Sequence, residues 1–219
     1  DLSRRARWSL TLSALRVGKF PSITSLKTSS NGSGMPKYAN LDHYLDADAG
    51  VLKNKLGIRD EALLATAEAD YVAARSYELA QNPIAGRFDL AHLQAIHRHL
   101  FGDVYDWAGA LRDVDISKGQ SYFAHYRYIE SSAAPLFEQL AKENYLAGLD
   151  EEAFSERAAY FLGEWNALHP FRDGNGRALR EFLGLLAKRN EYFILWTDIT
   201  QEVMTQAAIA AFRGDPSLL

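Results

Sequence analysis

The stretch HPFRDGNGR, His169 to Arg177, joins two runs of helical periodicity and carries the densest chemistry in the chain. Upstream, DEEAFSERAAYFLGEWNALH sets Phe154, Ala158, Phe161 and Trp165 along one face; downstream, ALREFLGLLAKRN resumes the same period. Pro170 disfavours continuing the first helix, because it lacks a donor and its ring blocks the preceding turn. Gly174 and Gly176 allow tight turning and close approach by a ligand. The amides of Gly174, Asn175 and Gly176 then open the next helix, where N–H groups lack intrahelical acceptors and the dipole is positive. That is an anion site. Arg177 and Arg180, three apart, fall on neighbouring positions of the new helix and suit a polyphosphate. Asp173 would repel phosphate unless a cation lay between; Mg²⁺ fits, held by one carboxylate, phosphate oxygens and water. His169 sits at the edge, with an imidazole able to take a proton from a hydroxyl near neutral pH. A polar interhelical loop with a Pro–Gly turn explains any one of these residues, but not all of them within nine positions.

Outward from the loop, helical patterns predominate. GIRDEALLATAEADYVAARSYELAQ predicts a long helix with Asp60 near its start, and FDLAHLQAIHRHLFG another, capped by Asp89 and stopped by Gly102. IESSAAPLFEQLAKENYLAGL predicts a third, over residues 129–149. LRDVDISKGQSYFAH differs: Val114, Ile116, Tyr122 and Phe123 flank SKGQ, which predicts a short β-hairpin with Gly119 in its turn. The fold class is therefore all-α with one hairpin. His92, His97 and His99 share a helix at spacings that make no tidy ligand pair, and without Cys a zinc site is not expected. His43 and His125 read as ordinary surface or core residues.

The 219 residues carry 47% apolar side chains, enough for one domain with a sizeable core, and no cysteine. No run approaches the roughly 20 apolar residues of a membrane span, and the N-terminus makes an unconvincing signal peptide. A cytoplasmic setting is the default. The net charge of −4 is uneven: residues 1–34 hold six basic residues against Asp1 alone, while the rest holds 18 basic and 27 acidic residues. An acidic body argues against general nucleic-acid binding, and a basic arm can be held by it. Residues 25–36, rich in Ser and Gly, read as a flexible linker, and NGSG before Met35 looks like an engineered junction. Residues 3–17 place Trp8, Leu12 and Leu15 at helical spacing, which predicts an amphipathic helix.

HPFRDGNGRALR resembles the signature of the Fic domain family, His-Pro-Phe-x-Asp/Glu-Gly-Asn-Gly-Arg-x-x-Arg, with every specified position matched. The motif is long and specific, and the resemblance covers about residues 40–210. It implies a helical core with the signature between two helices, and transfer of AMP from ATP to a target hydroxyl with release of pyrophosphate. On that resemblance His169 deprotonates the hydroxyl, and Asp173 binds Mg²⁺ with the α- and β-phosphates. Gly174, Asn175 and Gly176 cradle phosphate; Arg177 and Arg180 hold the β- and γ-phosphates; Phe171 anchors the loop. The hairpin resembles the family's flap, which pairs with the target backbone, and Lys118 and Gly119 are candidate contacts to nucleotide or target. Tyr192, Phe193 and Trp196 are candidates for an adenine pocket.

SALRVG, Ser13 to Gly18, is similar to the family's inhibitory segment Ser/Thr-x-x-x-Glu-Gly/Asn, with Val17 where the Glu stands. The resulting division is 1–24 an antitoxin-like inhibitory segment, 25–36 a linker and 37–219 the Fic domain. The resemblance implies a toxin of a toxin–antitoxin pair acting in the bacterial cytoplasm, delivery into a host cell being a further route. Its partners would be an antitoxin-type helix and a target protein modified on Tyr, Ser or Thr, with type II topoisomerase subunits among the targets of short family members. Two alternatives stand beside this: a transferase of the same fold moving another phosphate-containing group, and a non-enzymatic interaction module.

Overall fold

The structure is a computed structural model, describing residues 42–118 and 121–196. Its elements are α1 (Glu61–Gln81), α2 (Leu90–Phe101), β1 (Ser117–Lys118), β2 (Ser121–Tyr122), α3 (Ile129–Lys142), α4 (Glu151–Leu168) and α5 (Asn175–Arg189). The described part is thus helical with one small antiparallel ribbon, in which Ser117 faces Tyr122 and Lys118 faces Ser121. The expected segments 1–24 and 25–36 lie outside the described residues.

Three helix starts follow from their carboxylates. Asp60, Asp89 and Asp150 adopt extended backbone and accept from the amides of Leu63, His92 and Ala153. Each side chain replaces a missing intrahelical acceptor, a contact worth ~1 kcal/mol. The apolar stripes then decide the packing. From α5, Ala178, Leu179, Phe182, Leu183, Leu186 and Ala187 are buried, and the helix packs against both α2 and α4. Phe182 meets Trp165 of α4 edge-on at 5.1 Å and Phe88 at 5.6 Å, while Phe137 of α3 stacks on Trp165 at 5.5 Å. Full burial of each such ring contributes about 1.5–3 kcal/mol. The anchoring of α5 on two sides matters for function, because its first turn holds the sequence motif.

The third helix is shorter than its sequence suggests. It ends at Lys142, and Asn144, Tyr145 and Leu146 follow with φ of 49°, 55° and 64°. Left-handed backbone costs non-glycine residues roughly 1–2 kcal/mol each, so packing must compensate. Leu146 is fully buried, the Tyr145 carbonyl accepts from Asn190 Nδ2 at 2.9 Å, and the Tyr145 ring lies 4.6 Å below the Arg189 guanidinium. A helix continued past Lys142 would forfeit those contacts.

Candidate active site

The loop between α4 and α5 is built by its own side chains and by α1 and α2. Asn175, 1% exposed, closes it: its Oδ1 accepts from the Phe171 amide at 2.8 Å and its Nδ2 donates to the Phe171 carbonyl at 2.8 Å. These reciprocal bonds start α5 at Asn175, three residues before the apolar period resumes. Phe171 is fully buried and stacks on the His97 ring of α2 at 3.8 Å, which bears out its expected anchoring role. Gly174 takes φ of 76°, a value glycine adopts without strain. Arg172 ties the loop to Asp42 at 2.7 Å.

His97 is the hidden support of this loop. Its Nδ1 accepts from the Gly109 amide at 2.9 Å, so the proton sits on Nε2, which donates to the Asp173 carbonyl at 2.9 Å. Burial pushes its pKa down to about 4, with the nearby Arg177 charge adding to the effect against the Asp173 bond. It is a neutral ring near neutral pH.

His169 ends α4 in left-handed backbone, φ 47° and ψ 63°. It is held on four sides. Its amide donates to the Trp165 carbonyl at 3.1 Å and its carbonyl accepts from Arg112 Nε at 2.8 Å. Phe123, just past β2, stacks flat on the imidazole at 3.7 Å and 15°. Its Nδ1 lies 3.0 Å from the Asn166 carbonyl. A carbonyl can only accept, so in the neutral ring Nδ1 bears the proton and the lone pair is on Nε2, the arrangement a general base needs.

The charged groups of the motif divide into paired and unpaired. Arg177 NH1 bonds Glu68 Oε1 of α1 at 2.5 Å, its NH2 lies 3.7 Å from Asp173 Oδ1, and its guanidinium covers the Phe101 ring at 4.7 Å. Glu68, 8% exposed, also accepts from the Tyr105 hydroxyl, whose pKa rises with burial and with that carboxylate. Among the described residues no carboxylate lies within 4.0 Å of Arg180. Burial, then the like charge of Arg177, lowers the Arg180 pKa, against the opposing charge of Glu181. Asp173 is half exposed and accepts from the Gly174 amide at 2.5 Å, so only Asn175 and Gly176 of the three expected amides open the helix without that bond. A Cβ at Gly176 would meet nothing within 4 Å, which leaves open space beside the helix start.

Of the expected site residues, the structure therefore gathers His169, Asp173, Gly174, Asn175, Gly176, Arg177 and Arg180 at one loop and helix start. Lys118 lies in β1, while Gly119, Ser13, Val17 and Gly18 lie outside the described residues. Tyr192 departs from the adenine-pocket expectation. It packs on Phe154 at 4.7 Å and donates to the Leu149 carbonyl at 3.0 Å. That places it at the far end of α5, about 22 Å of helix from Asn175 at 1.5 Å per residue. Glu68, His97, Arg112 and Phe123 carry no sequence signal of their role, because each meets the motif through tertiary contact.

No group of three or more His, Asp or Glu forms a protein metal cage among the described residues. One exposed carboxylate beside two arginines instead suits a cation shared with bound phosphates. Among the described residues no helix is long and apolar enough to cross a membrane.

A family model described as Fic/DOC family matches residues 87–187. Protein adenylyltransferase VbhT of Bartonella schoenbuchensis is 50% identical over 186 residues, covering 84% of this chain; the chain spans 39% of that protein's length. Probable protein adenylyltransferase Fic of Salmonella typhimurium is 42% identical over 178 residues, covering 81% of this chain and 88% of that protein. Among solved structures, BepC of Bartonella tribocorum with bound AMPPNP is similar at TM-score 0.74 and 30% identity, over 80% of this chain and 92% of that one. A Fic domain from Bartonella quintana with bound ADP gives TM-score 0.75 and 31% identity, over 80% and 89%. With the motif, the helical frame and these relatives in agreement, the chain belongs to the Fic/DOC family.

Proposed function

We propose that this chain is a protein adenylyltransferase, an enzyme that moves AMP from ATP to a hydroxyl side chain of a protein. The observation that carries this is the His169 imidazole, with its Nδ1 at 3.0 Å from the Asn166 carbonyl, at the loop that opens into the paired arginines of α5. The relatives named as adenylyltransferases and the AMPPNP and ADP complexes of similar structures support ATP as the donor.

In the reaction the target hydroxyl oxygen bonds to the α-phosphorus as the bond from that phosphorus to the β-bridging oxygen breaks. The hydroxyl proton passes to His169 Nε2, and pyrophosphate leaves. Arg177 and Arg180 hold the β- and γ-phosphates, so charge accumulating on the leaving group meets two guanidiniums already in position. The amides of Asn175 and Gly176 receive phosphate oxygens at the positive end of α5. Asp173 would hold Mg²⁺ together with the α- and β-phosphates; the ion supplies charge neutralisation there. The hairpin offers a strand edge for the target backbone, with Lys118 and Gly119 as candidate contacts to nucleotide or target. Positioning and charge compensation are what transfer at phosphorus chiefly requires.

The finer reading is a toxin of a toxin–antitoxin pair, working in the bacterial cytoplasm on a protein Tyr, Ser or Thr, a topoisomerase subunit among the candidates. Ser13, Val17 and Gly18 would belong to an inhibitory segment within 1–24, ahead of the linker 25–36 and the Fic domain 37–219. Val17 cannot offer the carboxylate that such a segment presents to Arg180, so the chain would be partly or wholly derepressed. Incubation with ATP and Mg²⁺ followed by intact mass measurement tests the function: an AMP adduct supports it, whereas a lone phosphate adduct overturns it. Equal self-labelling by wild type and Val17→Glu would overturn the part given to the N-terminal segment.

A further inference from the structure

The hairpin has a problem of support. Its two strands are two residues each, and an isolated ribbon of that size is not stable in water. Yet Phe123, immediately after β2, lies flat on the His169 ring at 3.7 Å. Something must fix the base of the hairpin against α4 for that stack to persist.

The geometry points to Arg112 as the positioning residue that locks the base of the hairpin to the end of α4 and so sets its register over His169. Its side chain is fully buried. NH1 donates to the Val114 carbonyl at 2.7 Å and NH2 to the Ala124 carbonyl, one on each leg of the hairpin. Nε donates to the His169 carbonyl at 2.8 Å and NH2 also reaches the Leu168 carbonyl at 3.4 Å. Its own amide donates to the Pro170 carbonyl at 2.9 Å, and the Ala124 amide to the Ala167 carbonyl at 3.2 Å. One planar fork therefore joins both legs to the last turn of α4.

Two features suggest that this contact is built rather than incidental. The last turn of α4 contains no basic residue, and a helix C-terminus favours a cation; Arg112 supplies it from outside the helix. The nearest carboxylate, Asp115, is 3.9 Å away and accepts instead from the Tyr126 amide at 3.0 Å, closing the hairpin legs a second time. A buried cation served mainly by carbonyls is costly unless its donors are well placed. A lysine could not reproduce the contact, since it brings a point charge on a flexible stem in place of a rigid fork.

The test uses Arg112→Lys and Arg112→Gln in the full chain, with two separate readouts. Amide hydrogen exchange is the first. The Ala124 and Tyr126 amides, bonded to the Ala167 carbonyl and to Asp115, should exchange about tenfold or more faster in both variants, while core amides of α5 such as Leu183 keep their protection. Hairpin amides as protected as in wild type, or hairpin and core losing protection by the same factor, would overturn the inference. The second readout rests on the adenylyltransferase reading. The affinity for ATP with Mg²⁺ should stay within about twofold while self-adenylylation falls about tenfold or more, as expected when reacting groups are misaligned but the nucleotide still binds. An unchanged rate, or affinity falling in step with rate, overturns it. Wild type that transfers no AMP at all counts against the function alone, and the exchange readout still decides the place of Arg112.

Discussion

Replacing Gly174 with Ala would strike the motif at its tightest point. Gly174 has φ of 76°, and an added Cβ would stand within 3.0 Å of three ring carbons of Phe101. That ring cannot retreat easily: it is 1% exposed and lies between the His97 ring at 4.6 Å and the Arg177 guanidinium at 4.7 Å. Left-handed backbone costs an alanine about 1–2 kcal/mol and overpacking about 1–3 kcal/mol, so the loss should be about 2–5 kcal/mol. For a domain of this size that is a drop in melting temperature of roughly 5–15 °C. Urea unfolding followed by circular dichroism measures it, with an unchanged m-value marking a true stability effect. Phe101→Leu removes the clash but not the backbone strain, so in the double variant the two losses should be sub-additive by about 1–2 kcal/mol. A Gly174→Ala protein within about 0.5 kcal/mol of wild type would refute both the backbone and the contact assigned to this position.

Glu68→Ala should destabilise by about 1–3 kcal/mol, since it strands the Arg177 guanidinium and the Tyr105 hydroxyl together. The figure is held low because Arg177 keeps 31% of its side chain in solvent, and the matching cycle with Arg177→Ala should show a smaller combined loss than the sum. His97 gives a pH signature. Its folded pKa is pushed down to about 4 from the ordinary 6.5, so the unfolded chain takes up a proton that the folded chain refuses. The resulting stability is fully present above pH 6.5 and is lost as pH falls toward 4, by at most about 3 kcal/mol. His97→Gln should be weaker near neutrality, and its further loss between neutral pH and about 4.5 should be smaller than that of wild type by about 2–3 kcal/mol. Parallel pH dependences in the two proteins would show that His97 titrates normally.

Much of this site is legible in the sequence because its chemistry is local. His169 through Arg180 fit into a single loop and the first turn and a half of α5, so spacing alone groups them. The helix starts at Asp60, Asp89 and Asp150 are equally local, each decided by a side chain and an amide three residues on. The supports are not. Glu68 reaches Arg177 across 109 positions, His97 reaches Asp173 across 76, and Arg112 reaches His169 across 57. His97 in particular reads as one of three histidines on a polar-looking helix, and only the Phe171 stack reveals why it is buried. The end of α3 at Lys142 escapes a sequence reading for the same reason. The residues that follow have adequate helical pattern, and the competing interaction is tertiary, between Tyr145, Arg189 and Asn190.

The central claim is that His169 delivers a hydroxyl to the innermost phosphorus of ATP. Purified protein incubated with Mg²⁺ and ATP carrying a radiolabel on either the α- or the γ-phosphate measures this directly, with His169→Ala alongside. The account requires stable protein labelling from the α-position, none from the γ-position, and none from either in the variant. Label arriving from the γ-phosphate, or α-label of equal strength without the imidazole, would contradict it.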